Sequence, residues 1–246
     1  MMRTLAKLTW VEMKLFSREP ITVIFSLAFP LVMLLVLAGV FGNEVDPEFR
    51  DAIPVDYYVP GYLAIVIASI GLIGLPVHLA AYRERGILRR FRASSVSPWS
   101  LFAAQVTVSF VLAVVGSVLL VVAAVVIYDA QLPESPARLL LAFVISTLSF
   151  VSLGFLIGTL LASARAAQAV GLLLFLPMWL LSGAGPPRGV MGGAMRAISD
   201  VLPLTYVVTS LQDAWLGLGS SVIEILVLMG VILVAGALSV RFARSV

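Results

Sequence analysis

The 246-residue chain is 61% hydrophobic and 12% charged, with a formal net charge of +3 and a mean hydropathy of +1.10. A soluble domain of this length needs far more polar surface, so a water-soluble globular protein is excluded. The absence of cysteine excludes disulfides, thiolate metal sites and cysteine nucleophiles, and a single histidine, His78, excludes a paired-histidine metal site.

The first segment, RTLAKLTWVEMKLFSRE (residues 3–19), places Lys7, Lys14 and Arg18 at i, i+7 and i+11, in one helical stripe. Leu5, Leu8, Leu15 and Phe16 fall on another face, the pattern of a helix lying in the membrane interface. Glu12 and Glu19 fall within the apolar half, where a protein neighbour suits them better than lipid alone; simple interfacial anchoring is the alternative. The apolar run that follows, 21–41, is longer than a signal-peptide core. Pro30, Gly39 and, just after the run, Gly42 leave it no clean cleavage site, so it reads as a retained span.

Spanning a bilayer takes about 20 apolar residues, and helices are the only open-chain structure that satisfies its backbone there. Further spans are expected at about 60–81, 101–128, 137–162, 166–184 and 221–240. The fold class is therefore an all-α integral membrane protein with six transmembrane helices. Gly71, Gly74 and Pro76 interrupt the second span, and Pro177 the fifth, where each proline removes a backbone donor. Gly154 and Gly158 form a G-x-x-x-G pair on one face of the fourth. All six residues suit gating hinges or fold-specific packing equally. The stretch 183–219 is too broken by Gly and Pro to span and too apolar for a solvated loop. It reads as two short helices, about 189–200 and 203–216, re-entering the membrane from outside, with a surface amphipathic helix as the alternative.

Positive charge sets the orientation. Residues 1–20, the loop between the second and third spans, Arg165, and Arg241 with Arg244 hold all the basic residues except Arg50, Arg138, Arg188 and Arg196. The positive-inside rule puts that majority, and both termini, in the cytoplasm.

Within the second-to-third loop, YRERGILRRFRASSVSP (82–98), a helix would set Arg85, Arg89 and Arg92 on one face beside an apolar patch of Ile87, Leu88 and Phe91. Topology alone needs only scattered cations; arginines around an apolar anchor are what a protein-docking helix needs. Binding to acidic lipid is the blander alternative. There is no phosphate-binding loop and no G-x-S-x-G elbow. His78, near the end of the second span, reads as an interfacial hydrogen-bonding residue rather than a proton relay, and Glu224 as a headgroup-level carboxylate. The chain has no engine of its own.

At this loop the sequence resembles the permease subunits of type-2 ABC exporters, in particular the drug-efflux branch that includes daunorubicin-resistance permeases. The residues that carry the resemblance are Glu84, Gly86, Arg89, Arg90, Phe91 and Arg92, then Val96, Ser97 and Pro98. They are followed by GTLLASARAAQAVGLLLFLPMWLLSG at 158–183, PLTY at 203–206 and DAWLG at 213–217. Ser95 stands where many members have proline, and the region after Pro186 departs from the usual hinge. The resemblance implies a single type-2 transmembrane domain over 1–246, an interfacial helix at 3–19, and a coupling helix formed by Glu84, Arg85, Gly86, Ile87, Leu88, Arg89, Arg90, Phe91 and Arg92. It further implies two copies of a soluble ATPase subunit that carries ATP and Mg, no cofactor or catalytic residue on this chain, and a second permease, identical or similar. The setting would be a bacterial inner membrane, with lipid and no nucleic acid as partners. The substrate would be a hydrophobic or amphiphilic drug or small lipophile, passing between the second and fifth spans, with Phe175, Met178 and Trp179 as lining candidates. A permease for lipid-linked polysaccharide and a non-transport membrane assembly factor are the competing expectations.

Overall fold

The computed structural model describes residues 20–42, 44–86, 98–219 and 222–244, together with Trp10 and Lys14. Among them helices follow one another with no strand between: α1 (Ile24–Phe41), α2 (Pro54–Glu84), α3 (Pro98–Tyr128), α4 (Pro136–Leu160), α5 (Ala164–Leu181), α6 (Gly193–Ser199), α7 (Pro203–Trp215) and α8 (Val222–Arg244). All but α6 and α7 are long and apolar enough to cross a membrane. Proline opens α2, α3, α4 and α7, at the one helical position where a missing N–H costs nothing.

The second span differs most from its sequence reading. It starts at Pro54, not near residue 60, and Pro60 lies inside it. Neither Pro60 nor the Gly71–Pro76 stretch breaks the helix. Instead, residues Ile70–Gly74 widen into a π-helical turn closed by Leu75 N–H to the Ile70 carbonyl. A π turn of this kind shifts the hydrogen-bond ladder so that the next proline loses less. The same device appears in α1, where Ile24–Ala28 is π-helical just ahead of Pro30. By contrast, α5 runs through Pro177 with no such turn.

Every residue of α2 from Pro54 to Tyr82 is buried. Helices α1, α3, α4, α5 and α7 pack around it, and small residues on its neighbours let them approach. A Cβ on Gly71 would come within 2.5 Å of the Phe150 carbonyl oxygen in α4. Gly154 of α4 sits directly against the Gly71 carbonyl, and Gly171 of α5 against the Leu72 carbonyl. Gly158 packs on Leu79 and Pro76, where a Cβ would be 2.9 Å and 3.3 Å away. The π turn is thus held between two glycine contacts, an arrangement suited to lipid, where close packing rather than water exclusion joins helices.

Candidate functional site

The candidate site lies where α2 meets the arginine-rich loop. A rise of about 1.5 Å per residue makes this 31-residue helix roughly 46 Å long, so its end projects past the hydrocarbon. There Arg85 N–H bonds the Ala81 carbonyl and Gly86 N–H the Arg83 carbonyl. Gly86, at φ +64°, ends the helix in the left-handed conformation that favours glycine. Glu84 and Arg85 are exposed beside it. The remaining coupling candidates, Ile87, Leu88, Arg89, Arg90, Phe91 and Arg92, lie outside the described residues, as do Lys7, Glu12, Arg18 and Glu19 of the N-terminal segment. Of that segment, Lys14 is exposed, with its ammonium 5.5 Å from the centre of the Trp10 ring.

Two side chains at this end join α2 to the turn between α4 and α5. Arg83 Nη1 donates to the Thr159 carbonyl at 2.7 Å and, more weakly, to the Leu161 carbonyl at 3.4 Å. Glu84 Oε2 accepts from Ala164 N–H at 3.2 Å. A cation therefore meets the last carbonyls of α4, and a carboxylate meets the first N–H groups of α5. Each sign faces the helix pole that attracts it. Ser163 completes the turn as the N-cap of α5, its hydroxyl accepting from Ala166 N–H at 3.3 Å. The motif singled out Glu84; Arg83, Thr159 and Ser163 were missed. Ser163 ahead of ARAAQ was the available signal, since serine is a preferred N-cap.

At its other end α2 is also tied down. Asp56 Oδ1 accepts from Gln131 N–H at 2.8 Å, Tyr57 Oη donates to the Gly183 carbonyl at 3.0 Å, and Gln212 Nε2 donates to the Tyr57 carbonyl at 3.2 Å. Arg50, itself in a left-handed conformation, reaches Asp213 Oδ1 at 2.6 Å. Burial lifts the Asp213 carboxyl above the usual carboxylate range, and the Arg50 guanidinium opposes that shift. Beyond these, Arg188 pairs with Asp200, and Arg196 donates to the Arg188 and Gly189 carbonyls. The helical parts of 183–219 are a 3₁₀ turn at Arg188–Val190, α6, shorter than expected, and α7, whose Leu204, Val207, Val208 and Leu211 face the core.

The lining candidates lie together, against α1. Phe175 is fully buried, edge-on to Phe25 (5.7 Å between ring centres) and Phe29 (6.0 Å). Trp179 meets Phe29 at 5.0 Å, and Met178 is partly buried beside the same core. The Trp179 indole N–H and the Tyr62 hydroxyl are buried and face each other there. His78 is buried 4.5 Å from the Tyr82 ring, and Glu224 is buried at the start of α8. Among the described residues no group of acidic and histidine side chains could hold a metal.

The comparisons with known proteins point the same way. A family profile described as ABC-2 type transporter matches residues 4–216. The chain is similar to the "Probable multidrug ABC transporter permease YbhS" of Escherichia coli K12, 27% identical over 168 residues, or 67% of this chain and 44% of that protein. It is similar also to the "Inner membrane transport permease YhhJ" of the same strain, 24% identical over 173 residues, or 70% of this chain and 44% of that one. The chain thus matches less than half the length of these curated relatives.

Proposed function

This chain belongs to the ABC-2 type transporter family, as a type-2 ABC permease, and from that premise we propose that it is the membrane half of a multidrug-type exporter. A separate ATPase, in two copies, supplies the energy, carrying ATP and Mg on its own chains. Two permeases, identical or similar, frame the path, and the cargo is a hydrophobic or amphiphilic drug or small lipophile. Both termini and the arginine-rich loop face the cytoplasm of a bacterial inner membrane, the N-terminal segment lies in the interface, and 183–219 dips back into the opposite leaflet.

One observation carries the mechanism: Arg83 and Glu84, the last residues of α2 before the loop, hold the α4–α5 turn. A push delivered to residues 84–92 by a docked ATPase reaches the end of α2 first. Because that end is hydrogen-bonded to the C-terminus of α4 and the N-terminus of α5, the three helices shift together. The glycine contacts at Gly71, Gly154 and Gly171 extend the same union to mid-membrane, since interlocked backbones transmit displacement with little slack. Phe175, Met178 and Trp179 ride on α5, so this motion opens or closes the aromatic region beside α1. Tyr62 and Trp179 bring polar donors to it, suiting cargo that carries a hydrogen-bond acceptor within an apolar body.

The test is co-purification from the native membrane in mild detergent. The wild-type chain is expected to bring down a near-stoichiometric soluble ATPase. The double variant Phe91→Asp, Arg89→Glu should insert normally and lose it. Unchanged association would overturn the docking assignment, and recovery of the wild-type chain alone or with enzymes of lipid metabolism would overturn the transport reading.

A further inference from the structure

At the end of α2 far from the arginine-rich loop, the chain leaving α1 folds into a compact strap, residues 46–52. Its backbone hydrogen bonds are made within itself: Asp46 N–H to the Ala52 carbonyl (3.3 Å), Phe49 N–H to that of Asp46 (3.0 Å) and Ala52 N–H back to that of Phe49 (3.3 Å). Asp46 also caps the 3₁₀ turn Pro47–Phe49, its side chain accepting from Glu48 N–H at 2.8 Å. The strap turns through Arg50 and Asp51, at φ +65° and +58°, a left-handed conformation that side chains disfavour. Among the described residues, Arg50 alone hydrogen-bonds from the strap to another element. Its Nη2 donates to Asp213 Oδ1 at 2.6 Å and its Nη1 to Gln212 Oε1 at 3.5 Å, both on α7. A segment bonded within itself, and to its surroundings by one side chain, can lift as a unit with its own hydrogen bonds intact.

What the strap covers is aromatic. Phe49, 2% exposed, sits edge-on to Tyr57 (5.4 Å between ring centres) and Tyr58 (5.6 Å). Tyr58 lies 6.1 Å from Tyr62, which faces Trp179. A file of rings thus runs from the proposed cargo region to the strap. Within it the Tyr58 hydroxyl is buried with no hydrogen-bond partner, a group that is satisfied once water or cargo reaches it. We propose that the strap is the gate at this end: Phe49 plugs the file of rings, Arg50 latches the plug to α7, and cargo leaves when the latch opens. The gate rests on the transport reading above; the latch rests on the strap's own bonds. One amide connects the two, because Gln212 accepts from Arg50 while its Nε2 donates to the Tyr57 carbonyl of α2 at 3.2 Å. A shift of α2 against α7 is therefore felt at Arg50.

The chain has no cysteine, so one engineered pair reads the strap's position. A Cβ on Gly189, in the 3₁₀ turn beside the strap, would stand 3.9 Å from the Glu48 Cα, within disulfide reach. In Glu48→Cys, Gly189→Cys protein, copper-phenanthroline should close the disulfide rapidly. Adding Arg50→Met should slow closure about five-fold or more, because the rate follows the fraction of time the strap is down. Asp213→Asn, which weakens the latch from the α7 side, should do the same and decides the matter if Arg50→Met is not monodisperse. Closure as fast in these variants as in the parent pair would overturn the latch, and this comparison needs neither ATPase nor cargo. In the complex with its ATPase, hydrolysis of ATP and Mg should slow closure by a similar factor. An unchanged rate in a complex that hydrolyses ATP would overturn the gate. A chain that brings down no ATPase would overturn the transport reading, and the gate with it, but not the latch.

Discussion

Helices α2 and α8 are nearly equal in the apolarity that sends a helix into a membrane, yet the apolar stretch of α2 is 100% buried and that of α8 only 22%. In α8 the buried residues up to Phe242 are Glu224, Leu228, Ala235 and Ser239, one narrow stripe laid along α4. In α2 the neighbours close on every face. The difference comes not from apolarity, which lipid and protein satisfy alike, but from who supplies glycine at the contact. Gly154 and Gly171 bring two neighbours onto the backbone of α2, whereas Gly230 and Gly236 of α8 have nothing within 4 Å of where a Cβ would stand. Polar side chains then fasten both ends of α2. A helix held in this way moves only with its neighbours, while one attached along a single stripe leaves the bundle's motion free.

The largest effect expected from that contrast is a pair of identical changes with opposite outcomes. Gly154→Leu forces a side chain onto the Gly71 carbonyl, where no flexible group can give way. Overpacking of this kind costs about 1–3 kcal/mol or more, and little monodisperse protein should be recovered from the membrane. Gly236→Leu should leave recovery and melting temperature close to wild type, measured by gel filtration and thermal unfolding in the same detergent. A middle-sized effect is expected at the fastening of α2 far from the arginine-rich loop. Tyr57→Phe keeps the ring among Phe49 and Tyr58 but removes the donor to the Gly183 carbonyl. Losing one such hydrogen bond costs about 1 kcal/mol, so a lowered melting temperature with an intact fold is expected. The smallest is Gly236→Ala, which should stabilise α8 by about 0.5–1 kcal/mol, because an open helical glycine only costs backbone entropy. A loss of stability there would mean that α8 is packed as closely as α2.

Much of this architecture is legible in the chain. Apolar runs of spanning length find the six membrane helices, but not the end of the second: Glu84 and Gly86 read as part of the loop helix, whereas α2 runs on to Glu84 and stops at the left-handed Gly86. PLTY through DAW marks α7, because an N1 proline and a one-sided apolar pattern are local signals. The position of α2 at the centre is not legible, since a fully buried helix and a lipid-facing one carry the same residues when both surroundings are apolar. The same physics hides the place of Phe175. An aromatic near a proline suits a lined path or a packed core, and only the positions of Phe25 and Phe29, far away in sequence, put it edge-on between rings. The hold of Arg83 on the end of α4 is hidden for another reason. Its acceptors are backbone carbonyls, which leave no mark in a sequence.

The central claim is that the end of α2 carries movement to the α4–α5 turn, and Ala164 N–H, bonded to Glu84, lies at that junction. Hydrogen exchange across residues 80–86 and 161–166, measured on the complex with its ATPase with and without ATP, tests it most directly. The wild-type complex should change exchange in both segments together. Arg83→Met, which keeps the apolar stem and removes the donors to Thr159 and Leu161, should confine most of the response to 80–86. A turn that responds to ATP as strongly in Arg83→Met as in wild type would contradict the account.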